Sequence, residues 1–247
     1  MNGRVAFITG GAGGLGQAMA AAFAAQGAAV AVADLPQRRH EVDQIAGGLP
    51  RALGVSLDVA DSASIRHAVQ DVVDALGSLD VMVCNAGLNV RKPTLEVTEA
   101  DWDAVLDVNL RGVFFSAQAG AAQMVQQGRG GKIVSIASIM GLVGSVSSSA
   151  AYCASKAGVV NLTRVLAIEW ATHNIQVNSV APTFVRTPLT EGIFANEAFL
   201  QSVLDRTPNG KLATPESIAD AVVFLASPKA DMITGITLPV DGGWTAW

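Results

Sequence analysis

The sequence predicts an α/β protein built on a doubly wound, seven-stranded parallel sheet with helices on both faces. Along the 247 residues, seven short runs rich in Val, Ile and Ala alternate with stretches of helical periodicity. Most of these runs are continuously apolar, as parallel strands are when helices cover both of their faces. Neither a linker nor a repeat divides the chain, so we expect a single domain over residues 1–247.

The predicted strands are short, and the intervals between them leave room for helices. β-Branched residues favour the extended backbone, and right-handed crossover connections then place successive strands in parallel. In chain order, the strands are predicted at Arg4–Thr9, Ala28–Asp34, Arg51–Asp58, Val81–Asn85, Lys132–Ala137, Gln176–Val180 and Ile236–Val240.

Five helices are predicted between these strands. Asp61 and Thr214 stand where helix N-caps belong, and Pro215 takes the first helical position after Thr214. Ala and Met enrich the first helix, which follows the first strand directly. In chain order, the helices are predicted at Leu15–Gln26, Ser62–Leu76, Glu99–Gln127, Ala150–Thr172 and Pro215–Ala226.

Residues 183–214 form the one irregular region. A short helical stretch is expected around Asn196–Asp205, and it is interrupted or flanked by Pro188, Gly192, Pro208 and Gly210. A connection of this length between a strand and a helix is typical of a lid or a binding loop. We therefore expect a substrate lid at residues 186–212.

The composition excludes several classes of protein. Half of the residues are hydrophobic and 15% are charged, which is incompatible with a disordered chain. The net charge of −5 argues against a nucleic-acid partner, because phosphate binding needs clustered Lys and Arg. No apolar stretch reaches the ~20 residues of a membrane span, and no charged leader precedes the first strand. We expect a cytoplasmic protein without a membrane partner.

Cysteine and histidine usage gives no sign of a metal site. Cys84 and Cys153 lie far apart in apolar segments, and the three histidines are scattered along the chain. Zinc sites and disulfide frameworks both need closely spaced or recurring ligands. We therefore predict neither a metal nor a disulfide.

A glycine-rich turn follows the first predicted strand. Gly11, Gly13 and Gly16 satisfy the pattern G-x-G-x-x-G between a strand and an Ala-rich helix. Glycines at this spacing allow a tight turn and let the backbone approach a pyrophosphate at the positive end of the helix. The candidate dinucleotide-binding residues in this turn are Gly10, Gly11, Ala12, Gly13, Gly14, Leu15 and Gly16.

The residues that end the second strand bear on the choice of dinucleotide. Asp34, followed by Leu35, stands about 20 residues beyond the turn, where an acid binds the ribose hydroxyls of NAD and repels the 2′-phosphate of NADP. This favours NAD over NADP as cofactor. Arg38 and Arg39 are the counter-indication, because a guanidinium can clamp a phosphate, unless they are solvated charges at the start of a helix.

A tyrosine and a lysine lie four residues apart in a predicted helix. Tyr152 and Lys156 therefore share one helical face, and Tyr152 is the only tyrosine in the chain. A nearby ammonium favours a phenolate, so we expect Lys156 to lower the pKa of Tyr152 from about 10 toward the working pH. Tyr152 is thus a candidate general acid and base.

These residues together resemble the short-chain dehydrogenase/reductase family over essentially the whole chain. The matching features are Thr9-Gly10-x-x-x-Gly14-x-Gly16, Asp58-Val59, Asn85-Ala86-Gly87, Asn109, Ser138, Tyr152-x-x-x-Lys156 and Asp241-Gly242-Gly243. The resemblance implies a Rossmann fold and the interconversion of a secondary alcohol and a ketone by hydride transfer. It also implies a homotetramer, in which the long helices predicted at Glu99–Gln127 and Ala150–Thr172 would pack against their copies. The apolar C-terminus exposes Trp244 and Trp247 unless something covers them, and buried anchors of this kind suit subunit contacts.

The resemblance also implies roles for individual residues. Ser138 orients the substrate oxygen, Tyr152 exchanges its proton, Lys156 binds the nicotinamide ribose, and Asn109 holds a water. Asp58 and Val59 meet the adenine. The remaining implied cofactor contacts are those that line the cleft, Asn85, Ala86 and Gly87, and those near the nicotinamide carboxamide, Pro182, Thr183, Val185 and Thr187.

The sequence departs from the family pattern in three places. Pro182-Thr183 stands where the family commonly has Pro-Gly, and Cys84-Asn85 stands where it commonly has Asn-Asn. Thirteen residues separate Ser138 from Tyr152, one more than in many members. We therefore expect local differences at the nicotinamide pocket and in the substrate loop Met140–Ser149.

Within the family, the chain resembles the sugar-acid and polyol dehydrogenases of the gluconate 5-dehydrogenase and 2-keto-3-deoxygluconate type. Arg91, Lys92 and Arg186 are expected to flank the cleft, where a cation suits a substrate carboxylate, unless they are solvated surface charges or form salt bridges within an oligomer. The expected pocket residues are apolar at Met140, Leu142, Val143 and Phe184, and hydroxyls for polar substrates are offered by Ser145, Ser147, Ser148 and Ser149. A reductase of a hydrophobic ketone, a steroid or a 3-oxoacyl thioester is the alternative, and a non-catalytic dinucleotide-binding sensor is the alternative from another class.

Overall fold

The chain folds around one seven-stranded parallel sheet, in a computed structural model that describes residues 1–144 and 148–246. The strands are β1 Val5–Thr9, β2 Ala29–Asp34, β3 Ala52–Ser56, β4 Val81–Cys84, β5 Gly131–Ile136, β6 Ile175–Pro182 and β7 Thr237–Val240. They lie in the order β3-β2-β1-β4-β5-β6-β7, and every pair is parallel. The predicted doubly wound Rossmann-like architecture is therefore confirmed.

Both faces of the sheet are buried, which explains the continuous apolar runs. Along β1, Val5 and Phe7 pack into the hydrophobic core on one face, and Ala6 and Ile8 pack into the core on the other. Successive side chains of a strand point to opposite faces, so a strand covered on both sides has no solvent-exposed face that would favour polar residues. The described helices are α1 Gly14–Ala25, α2 Arg39–Gly47, α3 Ser62–Leu76, α4 Glu99–Leu106, α5 Gly112–Gln127, α6 Ala150–Trp170, α7 Pro188–Phe194, α8 Glu197–Asp205 and α9 Pro215–Ala226.

The predicted helix Glu99–Gln127 is not uniform. A π-helical turn at Asp107–Arg111 separates α4 from α5. Its central residue, Asn109, is fully buried, and its side-chain amide bonds to the backbone of Leu88 rather than to solvent. π-Helical turns inside α-helices frequently mark functional sites, and here the turn carries a candidate site residue.

The amino-terminal edge of the sheet is held by a buried carboxylate. Asp80 precedes β4 and accepts hydrogen bonds from the backbone N–H of Val5, at 2.8 Å, and from the Ser78 hydroxyl, at 3.0 Å. Arg129 donates to its other oxygen at 2.6 Å. The carboxylate thus joins the starts of β1 and β4, and its charge is compensated as buried charges require.

The C-terminal segment packs against the chain itself. Trp244 is only 6% exposed, because its ring lies 5.4 Å from that of Phe184 and the Arg206 guanidinium stacks 4.7 Å above it. Phe184 and Arg206 of the same chain thus cover this indole. Trp247 lies outside the described residues, as do Ser145 and Ser147. None of the helices in the described ranges is long and apolar enough to cross a membrane.

Candidate active site

The glycine-rich turn lies at the carboxyl edge of the sheet, between β1 and α1. Gly10 has φ +62°, and Gly11 donates a hydrogen bond to Ala33 of β2 at 2.8 Å. A Cβ at Gly16 would stand 2.5 Å from the Gly10 carbonyl oxygen and 2.6 Å from the Gly11 Cα. The turn therefore packs against the start of α1 more closely than any side chain allows, and this cradle fits a pyrophosphate at the helix N-terminus.

Asp34 lies beside this turn, at the end of β2. Its carboxylate accepts hydrogen bonds from the backbone N–H of Ala12, at 3.0 Å, and of Leu35, at 2.9 Å. Further along the same edge, Asp58 accepts from the N–H of Ala60 at 2.9 Å. The carboxylates of both residues thus lie on the β2 and β3 side of the turn, as expected for an adenosine site.

A second turn, Asn85-Ala86-Gly87, follows β4. The Asn85 amide donates to the carbonyl oxygens of Thr9 and Gly10, both at 2.9 Å, and the Thr9 hydroxyl accepts from the N–H groups of Asn85 and Ala86. Thr9 therefore ties the two turns together at the point where the strand order reverses. This role of Thr9 was not predicted from the sequence, although its position at the end of β1 was visible.

Ser138, Tyr152 and Lys156 come together after β5 and on the first turns of α6. Ser138 caps a short 3₁₀ turn and forms a side-chain hydrogen bond with Tyr152. The Lys156 ammonium lies 5.5 Å from the centre of the Tyr152 ring and donates to the carbonyl oxygen of Ile136 at 2.7 Å. The structure thus places these three of the four predicted catalytic residues in one cluster.

The pKa values in this cluster differ from the expectation. Burial raises the pKa of the Tyr152 phenol above its ordinary value, and the hydrogen bond to Ser138 and the charge of Arg91 only oppose that shift. Burial also lowers the pKa of Lys156 to about 8. The prediction that Lys156 brings down the pKa of Tyr152 is therefore wrong for this arrangement, because burial disfavours the charged form of both groups.

Asn109 lies beside this cluster, behind the second turn. Its amide oxygen accepts from the Leu88 N–H at 2.8 Å, and its amide nitrogen donates to the Leu88 carbonyl oxygen at 2.8 Å and to the Ser155 hydroxyl at 3.2 Å. Asn109 thus fixes the loop after β4 against α6. Ser155 was not predicted, and its place in the Tyr152–Lys156 stretch was the available signal. The role of Asn109 in holding a water stays a prediction.

The segment after β6 carries the predicted nicotinamide contacts. Thr190 donates to the carbonyl oxygen of Val185 at 2.6 Å and accepts from the N–H of Thr187 at 2.9 Å, which fixes this segment against α7. The hydroxyl oxygen of Thr183, which follows Pro182, is buried and has no hydrogen-bond partner in the part of the chain that the structure describes. An orphaned hydroxyl at this edge fits the polar carboxamide of a nicotinamide.

Aromatic contacts surround Phe184, one of the residues predicted to contact the substrate. The Phe184 ring lies 5.6 Å from Phe199 of α8 and packs with Met140 and Trp244, so the segment after β6 is joined to the predicted lid. The Arg186 guanidinium lies 5.6 Å above the Phe194 ring of α7.

The two basic residues after β4 have different surroundings. Lys92 is engaged by Asp101 at 2.6 Å. Arg91 is exposed, and within residues 1–144 and 148–246 it forms no salt bridge. The positive charge of Arg91 nevertheless acts on the Tyr152 phenol, whose pKa it lowers against the effect of burial. Arg91 therefore contributes positive charge to the surroundings of the candidate proton-transfer group, in addition to the ammonium of Lys156.

Comparisons with known proteins agree with this geometry. A family model described as enoyl-(acyl carrier protein) reductase matches residues 10–245. The chain is 37% identical to the 2-dehydro-3-deoxy-D-gluconate 5-dehydrogenase of Dickeya dadantii over 100% of this chain and 97% of that protein. It is 39% identical to a 3-oxoacyl-acyl-carrier-protein reductase of Thermotoga maritima over 98% of each chain.

A solved structure from Agrobacterium tumefaciens, which holds bound NADP, is also similar. It superposes with a TM-score of 0.90 at 41% identity and covers 100% of this chain and 98% of that one. Fold, sequence motifs and relatives thus agree over the whole length of the chain. The chain belongs to the short-chain dehydrogenase/reductase family, and it is an oxidoreductase that acts on CH–OH groups.

Proposed function

We propose that this protein oxidises a secondary alcohol of a sugar acid, sugar or polyol with NAD as cofactor. The observation that carries the proposal is the cluster of Ser138, Tyr152 and Lys156, at the same carboxyl edge of the sheet as the glycine-rich turn. The positive charge of Arg91, which acts on the phenol, supports an acidic substrate. A nicotinamide dinucleotide bound along the carboxyl edge would supply the hydride acceptor. The chain's own residues would hold the substrate and move its proton.

In this mechanism, Tyr152 acts as the general base. In the fraction of molecules whose phenol is deprotonated, which grows with pH, Tyr152 takes the proton of the substrate hydroxyl, and Ser138 holds that hydroxyl by a hydrogen bond. Lys156 is fixed by the Ile136 carbonyl oxygen, so its charge stays 5.5 Å from the ring centre while the proton moves. Proton transfer by a positioned side chain typically contributes about 10²- to 10⁴-fold to a rate.

The choice of NAD is supported by the carboxylate of Asp34. It is 9% exposed and lies against the N–H of Ala12, where the ribose hydroxyls of an adenosine would reach it. A 2′-phosphate at the same place would meet a negative charge. The residues proposed to bind the dinucleotide are those of the two turns, together with Asp34, Leu35, Asp58, Val59, Pro182, Thr183, Val185 and Thr187.

The proposal is tested by following nicotinamide reduction with NAD and NADP in parallel. The substrates are sugar acids, polyols and hydrophobic secondary alcohols at matched concentrations. We expect turnover with NAD on the polar class.

The aromatic cluster around Phe184 favours the second candidate, a reductase of a hydrophobic ketone or 3-oxoacyl thioester. Turnover confined to hydrophobic substrates would replace the first proposal by the second.

Replacing Arg91 by Ala tests the acidic substrate class. We expect KM for a sugar acid to rise about 10- to 100-fold, because a hydrogen bond between charged groups contributes about 1.5–3 kcal/mol. KM for the matching neutral polyol should stay within about twofold, and Lys92→Ala, which removes a cation already paired with Asp101, serves as the control. Equal changes in KM for the acid and the polyol would contradict the carboxylate contact.

We also propose a homotetramer with a cytoplasmic location. Apolar side chains on one stretch of α6 support the subunit contacts, because Val165 is 50% exposed and Ile168 is 80% exposed. Exposed apolar patches of this kind mark interaction surfaces more often than isolated apolar residues do.

A further inference from the structure

The Arg38 guanidinium is held at three points. It donates to the Asp34 carboxylate at 3.2 Å and to the carbonyl oxygen of Ala12 at 3.0 Å. It also donates twice to Glu41, at 2.6 Å and 3.2 Å. Arg38 thus lies between the glycine-rich turn and the start of α2, and the sequence did not reveal that it would be engaged from both sides.

This position coincides with the place proposed for the adenosine ribose. Asp34 Oδ2 accepts both from the Ala12 N–H and from Arg38, so the guanidinium touches the same carboxylate oxygen and the same residue of the turn. A 2′-phosphate on that ribose would lie within reach of Arg38. Guanidinium groups bind phosphates through paired hydrogen bonds, which need free N–H groups.

Glu41 takes up those N–H groups. Its two oxygens bind the Nε and one terminal nitrogen of Arg38, the same two-pronged contact that a phosphate would use. The hydrogen bond from Arg38 lowers the pKa of Glu41, so this carboxylate is charged at neutral pH. Asp34, by contrast, makes a single longer contact to Arg38 and is itself held by backbone N–H groups.

We propose that Glu41 is a specificity-determining residue, which occupies the phosphate-binding face of Arg38 and so disfavours dinucleotides with a 2′-phosphate. The inference rests on the proposed function, because it concerns the cofactor of the same site. NADP must displace Glu41 from Arg38 before it gains that contact. NAD needs only Asp34, and Arg38 can stay bound to Glu41. The preference for NAD is thus set by two acids, one in the strand and one on α2.

The test is the dissociation constant of NADH and of NADPH, each measured by nucleotide fluorescence. In Glu41→Gln, we expect NADPH to bind about fivefold to tenfold more tightly, because an exposed ion pair and one nearby negative charge are lost. NADH affinity should change less than twofold. The same gain should appear with 2′,5′-ADP as competitor and should shrink in high salt.

Asp43→Asn is the matched control. Asp43 is an equally exposed acid on α2 that pairs with Arg39 at 2.8 Å, so the variant makes the same change in charge without freeing Arg38. It should alter neither affinity by more than twofold, and Arg38→Ala added to Glu41→Gln should abolish the gain. An equal gain in Asp43→Asn, or no gain in Glu41→Gln, would overturn the inference alone. Failure of the wild-type protein to bind either dinucleotide would overturn the proposed function itself.

Discussion

Tyr152→Phe is expected to reduce turnover by about 10²- to 10⁴-fold, the contribution of a positioned general base. The phenyl ring keeps its place beside Lys156, and only the hydroxyl that bonds to Ser138 is removed. The dissociation constant of NADH and the melting temperature should therefore stay close to those of the wild-type protein. Turnover within tenfold of the wild type would rule out Tyr152 as the proton acceptor.

Ser138→Ala gives the same assignment a second readout. The hydrogen bond from Ser138 opposes the rise in the pKa of Tyr152 that burial causes. Its loss should raise that pKa further, and oxidation needs the deprotonated phenol. The pH at which the rate of alcohol oxidation rises should therefore move upward in Ser138→Ala, whereas a residue that only packs against Tyr152 would leave the profile in place.

Gly16→Ala is expected to raise the dissociation constant of the dinucleotide by about 10- to 100-fold and to destabilise the fold. The new Cβ would lie 2.5 Å from the Gly10 carbonyl oxygen and 2.6 Å from the Gly11 Cα, both of which are backbone atoms that cannot rotate away. Overpacking of this kind typically costs about 1–3 kcal/mol, and here the displaced atoms form the binding turn. Titration with NADH and thermal melting report the two effects separately.

Two other glycines serve as controls for that experiment. A Cβ at Gly13 would meet only the Gly10 carbonyl oxygen at 3.4 Å, so Gly13→Ala should fold normally but block the approach of a pyrophosphate. At Gly47, the last residue of α2, a Cβ would meet nothing within 4 Å, and Gly47→Ala should change neither property. Normal NADH binding by Gly16→Ala would contradict the assignment of the turn.

The strands of the sheet could be predicted because each one is recognisable from the apolar residues of its own short run. β2 was expected at Ala28–Asp34 and is found at Ala29–Asp34, because a strand covered on both faces has a nearly continuous apolar run, which here ends at Asp34. The clustering of Ser138 with Tyr152 was also accessible, although only through the family resemblance. Spacing alone placed Tyr152 and Lys156 on one helical face.

The remaining features depend on contacts between residues far apart in the chain. Helical spacing indicated that Lys156 lies near Tyr152, but it gave no measure of how deeply both are buried, and burial decides the direction of both pKa shifts. Likewise, the sequence left open whether Arg38 binds a phosphate or is a solvated charge, because its partner Ala12 lies far away in the chain. The π-helical turn around Asn109 and the hydrogen bonds of its side chain to Leu88 were likewise not visible in the helical pattern.

The Asp80 carboxylate anchors the amino edge of the sheet by its hydrogen bonds, and its position bears on how chains of this fold diverge during evolution. It binds the amino ends of β1 and β4, at the opposite end of the strands from Arg91 and Phe184. Mutations that reshape the cleft therefore leave its hydrogen bonds intact. Because most mutations destabilise and are tolerated only while stability stays above a threshold, an anchor remote from the cleft preserves a reserve of stability. Descendants of such a chain can acquire new substrates at one edge of the sheet while the other edge keeps them folded.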